Sequence, residues 1–200
     1  MPSDMVAIPA GIYSLGAGKR YPEELPVRQV KTEGFWIDRH EVTNGDFKRF
    51  VDATGYVTFA ERLGTGEPAG SACFQEVQGN KVKTWSFIEG TNWRKPSGPG
   101  SSSQAALNQP VVHLTVEDAL AYARWAGKDL PTQDEWEIAA RGGQVNKEFA
   151  WGDKPQPGGK WMANTYQGEF PKADTGLDGF KGLAPVASFP PNGYGAYDMI

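Results

Sequence analysis

Between Asn164 and Phe180 the chain reads NTYQGEFPKADTGLDGF, a run of amide, carboxylate, hydroxyl and glycine residues with neither helical nor strand periodicity. Something other than regular backbone pairing must hold such a segment. Its carboxylate, amide and backbone carbonyl oxygens are the hard donors that a calcium ion takes, and Gly176 and Gly179, on either side of Asp178, let the backbone fold around an ion. The alternative is an Asx-type turn in which Asp178 accepts hydrogen bonds from backbone amides and nothing more.

Other residues with chemical potential lack partners at useful spacing. His40 and His113 stand alone in apolar strings, after Trp36-Ile37 and Val111-Val112, and read as hydrogen-bonded structural histidines rather than metal ligands or bases. Cys73 is the one cysteine; Ala72 and Phe74 flank it, and no adjacent Lys, Arg or His would lower its pKa, so it reads as an inert thiol. Glu41, Glu117 and Glu135 read as helix-entry carboxylates, each worth ~0.5–1 kcal/mol against N-terminal amides. A paired-carboxylate hydrolase is not supported.

The elements that must position these groups are short. Alternation over Met5–Leu15 and again over Val27–Ile37 predicts two strands joined by a polar loop. Three helix entries share one device, a threonine followed three residues later by an acid: Thr43 with Asp46, Thr115 with Asp118, and Thr132 with Glu135. Gly55, Gly127 and Gly142 mark the helix ends. Residues 65–109 carry many breakers together with Trp85, Phe87 and Trp93, which predicts an ordered loop excursion, since a disordered segment would be poor in aromatics.

Composition agrees with a loop-rich globular chain. The 200 residues are 39% hydrophobic, with 25 Gly, 15 Pro and 7 Trp, so turns abound and aromatics supply buried surface where regular elements are scarce. A net charge of −4 without long Lys or Arg runs argues against a nucleic-acid or membrane surface. A single cysteine permits no internal disulfide and favours a reducing compartment. The N-terminus shows no signal-peptide pattern and no stretch approaches a membrane span, so a cytoplasmic location is expected. No repeat or linker divides the chain, and the expectation is one α+β domain of low regular content.

Several strings occur in order: Phe35 to Asn44 (FWIDRHEVTN), Trp125-Ala126-Gly127-Lys128 with Leu130-Pro131-Thr132, Glu135-Trp136-Glu137 with Ala140-Arg141-Gly142-Gly143, Trp151-Gly152-Asp153, Gly168-Glu169-Phe170-Pro171, and Pro190 to Gly195 (PPNGYG). Together they resemble the formylglycine-generating enzymes, also called sulfatase-modifying factors, over nearly the whole chain. The resemblance implies a single, irregular C-type-lectin-like α+β domain. It implies an oxidase that converts a cysteine of a sulfatase active-site motif to formylglycine, using oxygen and a copper ion held by two cysteines, with a sulfatase polypeptide as partner. In the family those cysteines lie in the C-terminal third, beyond the equivalent of Ile200, and Cys73 matches neither. Residues 1–200 are therefore expected to represent the domain without its C-terminal third, inactive alone. The apolar groups Phe189, Tyr194, Tyr197, Met199 and Ile200 are expected to lack partners.

Carried over residue by residue, the family's structural calcium site falls on the side chains of Asn164 and Asp178 and the carbonyls of Thr165 and Phe180. The segment Gly90 to Ser101 resembles the one beside the family's substrate-peptide groove; it also reads as a rigid surface loop with Trp93 as an inward anchor. Asn92, Trp93 and Ser101 are the implied substrate-binding residues, with Asn92 and Ser101 available to an extended peptide, while Gly100 stands where many members have Asp. Ala123 and Ala140 replace structural cysteines of secreted members, which implies a bacterial-type cytosolic protein. The competing function is a catalytically silent member that binds a polypeptide or other ligand on the same scaffold.

Overall fold

The computed structural model describes residues 4–16, 22–62, 68–75, 84–171 and 173–200. All three predicted helices form: α1 Asn44–Thr54, α2 Val116–Trp125 and α3 Gln133–Arg141. Each entry closes a full capping box, the threonine hydroxyl accepting from the third helical amide while that residue's carboxylate accepts from the threonine amide. Gly55 and Gly142 end α1 and α3 with φ of 67° and 57°. At Gly142 a Cβ would come within 2.7 Å of the Asn192 Cβ, so both conformation and space demand glycine.

The strand expectation needs correction, because each predicted strand is two. The first comprises β1 Met5–Ile8 and β2 Gly11–Leu15; the second comprises β3 Arg28–Thr32 and β4 Phe35–Asp38. β1 pairs antiparallel with β4, Val6 facing Ile37, and β2 pairs with β3, Tyr13 facing Val30. The breaks coincide in space. Gly34, at φ 87°, approaches the Ala10 amide so closely that a Cβ there would lie 2.9 Å away. An antiparallel pair, β5 Gly70–Gln75 with β6 Thr84–Glu89, replaces part of the predicted loop excursion. Trp85 and Phe87 are 68% and 56% exposed, the inverse of the usual inward apolar face. Mixed short helices and small antiparallel sheets among long loops make the class α+β.

The chain folds as two compact units. One comprises Met1–Glu41, Pro131–Asn164 and Ala187–Ile200. Its core is Val6, Ile8, Leu15, Ile138, Ala139 and Ala196, and α3 is tied to β2 by the Gly16 amide donating to Glu137 Oε1 at 2.7 Å. Tyr194 and Met199 pack on this core and Phe189 is buried, so of the apolar groups expected to lack partners these three are covered; Ile200 is exposed.

The other unit comprises Val42–Leu130 and Thr165–Val186. Its core gathers Phe47, Phe50, Val51 and Trp93, with Tyr56 and Tyr122 packed alongside. The carboxylate of Asp118, fully buried, does more than cap α2. Besides the Thr115 amide and hydroxyl it accepts from the Tyr56 hydroxyl at 3.0 Å and the Phe59 amide at 3.1 Å, tying α2 to the segment after α1. Burial first, and then this bond to a carboxylate, push the Tyr56 hydroxyl pKa up.

Candidate functional site

The oxygen-rich loop is organised by its own acceptors. Asp178 Oδ2 accepts from the Thr165 amide at 3.1 Å and Oδ1 accepts from the Phe180 amide at 2.9 Å. Three of the four residues singled out for calcium are thereby drawn together around one carboxylate. Asn164, exposed and immediately before Thr165 in the chain, belongs to the other unit. Two further residues, not singled out from sequence, complete the loop. Gln167, 6% exposed, donates from Nε2 to the Thr165 carbonyl at 2.5 Å and accepts at Oε1 from the Asp178 amide at 3.0 Å. Asp174 Oδ1 accepts from the amides of Gly176 and Gln167 at 3.0 and 3.4 Å. The Gly176 amide is the main reason its carboxyl titrates below the usual aspartate range.

This geometry matches the turn alternative, Asp178 hydrogen-bonded to backbone amides. Each Asp178 oxygen spends one lone pair on an amide and keeps others, and Thr165 and Phe180 each contribute a carbonyl. Among the described residues no group of three or more His, Cys, Asp or Glu is placed to hold a metal. A centre built on carbonyls needs no such group.

The second candidate is the loop of residues 90–104, and its anchor is Trp93. The indole is 2% exposed, meets the Phe47 ring edge-on at 5.2 Å and donates from Nε1 to Glu61 Oε2 at 3.2 Å. Arg94 lies over its ring at 4.3 Å and donates from Nε to Glu61 Oε1 at 3.1 Å. Asn92 and Ser101 spend their polar atoms inside the loop. Asn92 Oδ1 accepts from the Arg94 amide at 2.9 Å and Nδ2 donates to the Gly90 carbonyl at 3.3 Å. Ser101 Oγ donates to the Gly98 carbonyl at 2.7 Å and accepts from the Ser97 amide at 3.0 Å.

A cleft of about 220 Å³ opens beside this loop, lined by Lys48, Trp93, Arg94, Lys95, Ser103 and Leu107 among others. Asn44, at the start of α1, also borders it. Its Nδ2 donates to the Ala106 carbonyl at 2.9 Å, and its buried Oδ1 has no partner among the described residues.

Both histidines are hydrogen-bonded to protein groups. His113, at φ 62°, has Nδ1 3.0 Å from Ser71 Oγ and Nε2 2.8 Å from the Pro96 carbonyl oxygen, and so clamps the loop to β5. His40 Nδ1 lies 2.9 Å from the Glu41 carbonyl oxygen. Cys73 is buried, 3.8 Å from Thr91 Oγ1 and 3.7 Å from the Pro96 carbonyl. Glu135 and Glu117 stand in first helical turns as expected. Glu41 does not. Burial first, and then the neighbouring charge of Asp198, raise its carboxyl pKa. Ala123 and Ala140 are 5% and 8% exposed, small residues in tight helical positions.

Comparison with known proteins places these features in context. Residues 1–200 match the family model described as sulfatase-modifying factor enzyme 1-like domain. The chain is 46% identical to the formylglycine-generating enzyme of Mus musculus, over 98% of this chain and 55% of that protein. It is 40% identical to the inactive C-alpha-formylglycine-generating enzyme 2 of Bos taurus, over 98% of this chain and 67% of that one. Among solved structures, PvdO from Pseudomonas aeruginosa superposes with a TM-score of 0.62 at 28% identity, covering 98% of this chain and 66% of that chain. The chain thus spans little more than half the length of its mouse relative.

Proposed function

Because the chain belongs to the sulfatase-modifying factor enzyme 1-like family, we propose that it is the polypeptide-holding part of an enzyme that converts a cysteine of a sulfatase active-site motif to Cα-formylglycine, on a C-type-lectin-like scaffold. The observation that carries this reading is the 46% identity to the mouse formylglycine-generating enzyme across 98% of the chain. Copper bound to a pair of thiolates would supply the means of activating oxygen. The chain has one cysteine, Cys73, so it cannot supply such a pair, and residues 1–200 alone should leave a cysteine-containing sulfatase peptide unchanged.

The residues present contribute shape and support. Trp93 fixes the loop of residues 90–104 to the helical core, while Asn92 and Ser101 hold its backbone curve, so the loop forms one rigid wall for an extended peptide. Asn164, Thr165, Asp178 and Phe180 would hold a structural calcium ion, the metal replacing part of the amide hydrogen bonding as the tie that closes the loop. With Ala at 123 and 140 and one buried thiol, the fold asks for no disulfide, in keeping with a reducing, bacterial-type cytoplasmic setting.

A second reading has its own support. The bovine relative is named inactive, and a silent member binding polypeptide through the same loop would look the same over these residues. The test is to incubate the full-length protein containing residues 1–200 with a cysteine-containing sulfatase peptide, copper and oxygen. Formylglycine by mass spectrometry establishes the first reading; peptide binding without conversion establishes the second.

A further inference from the structure

We propose that the cleft beside Trp93 reads a carboxylate side chain, so that the polypeptide bound by this chain carries an Asp or Glu where the cleft receives it. The inference rests on the polypeptide-binding role proposed above and names the chemistry of the residue bound. The cleft has an apolar wall in Trp93 and Leu107, and a rim of Lys48, Arg94 and Lys95, with no carboxylate among the described residues of its lining. Two rim cations are held in place by acids outside that lining, Lys48 by Asp52 and Arg94 by Glu61. Lys95 is exposed and has no carboxylate within ion-pair distance among the described residues.

Arg94 is set up for a carboxylate. Its guanidinium carbon sits 4.3 Å from the Trp93 ring centroid and its Nε is spent on Glu61, while among the described residues the Nη groups have no acceptor and are left to make a forked pair. Ser103, 4% exposed, lines the same cleft and adds a hydroxyl. At Gly100, φ 93°, a Cβ would find nothing within 4 Å, so the loop carries no side chain there and no counter-charge. The rest of the molecule works against this preference. A chain of net charge −4 repels acidic peptides in general, so selectivity for them has to come from the local cations.

The experiment uses the full-length protein and fluorescently labelled cysteine-containing peptides in which each position flanking the cysteine is in turn Glu, Gln or Lys. Fluorescence anisotropy at low salt should show, at one position, Glu binding roughly tenfold more tightly than Lys, with the gap closing as salt is raised. Lys95→Glu, at an exposed site that leaves the fold intact, should shrink that gap, and Arg94→Glu with Lys95→Glu should invert it. Peptides that bind equally whatever their charge, in parent and variants alike, overturn the cleft assignment and leave the polypeptide-binding role standing. If no peptide binds at all, that role falls and the inference with it.

Discussion

Two loops of one unit are held by opposite means. The loop of residues 165–182 has little buried apolar surface and is closed by side-chain acceptors, Asp174, Asp178 and Gln167, turned inward onto its own amides. The loop of residues 90–104 hangs on one aromatic anchor, Trp93, sunk between helices, and its polar side chains only trim the backbone. A loop closed by anionic acceptors is open to control by protons and cations. A loop closed by burial is indifferent to both, which suits a rigid wall.

Removing the anchor is the strongest way to break this contrast. Trp93→Ala should cost about 3–5 kcal/mol of global stability, because it empties a packed site against Phe47 and strands Glu61 and Arg94. Denaturant titration checks it, and a cost near that of an ordinary surface substitution would show that the loop does not depend on its indole.

Calcium should act on the other loop alone. At a hundredfold excess over its Kd the ion should raise stability by roughly 2.7 kcal/mol. Asp178→Ala should abolish that gain, whereas Asn92→Ala should keep it. Melting curves with calcium and with chelator decide the matter: curves that coincide in parent and Asp178→Ala alike remove calcium from the loop. Asn92→Ala itself sharpens the comparison at a smaller scale. It should cost about 1 kcal/mol, since two backbone groups lose a neutral partner while Trp93 stays in place. A loss as large as that of Trp93→Ala would make polar trimming, not burial, the tie.

The smallest effect is on pH. The Asp174 carboxyl is held below its reference value of 3.8 chiefly by the Gly176 amide. A depressed carboxyl contributes stability above the unfolded value and loses it as pH falls through the folded one. An NMR titration should therefore show Asp174 and the Gly176 amide moving together with a midpoint below 3.8. A midpoint at or above that value would remove the carboxylate from the loop's closure.

The local devices were legible in the residues themselves. Thr43 with Asp46, Thr115 with Asp118 and Thr132 with Glu135 announce their helices because a capping box closes within one turn and needs nothing from elsewhere. The inward role of Trp93 was legible for a related reason: an isolated large aromatic in a breaker-rich stretch has few other uses.

Tertiary structure decided the rest. The division of two predicted strands into four depends on Gly34 meeting Ala10, an approach between segments that alternation along either one cannot register. The side on which the β5–β6 pair presents Trp85 and Phe87 is also a tertiary outcome, since alternation along β6 reads the same whichever face is outward. Glu41 reads as a helix-entry acid until the fold brings Asp198 against it, and Asp118 reads as a cap until Tyr56 and Phe59 arrive at its second oxygen. Spacing along a chain specifies bonds that close within a few residues. Which distant groups meet at one carboxylate is settled only when burial of the aromatic core draws the segments together.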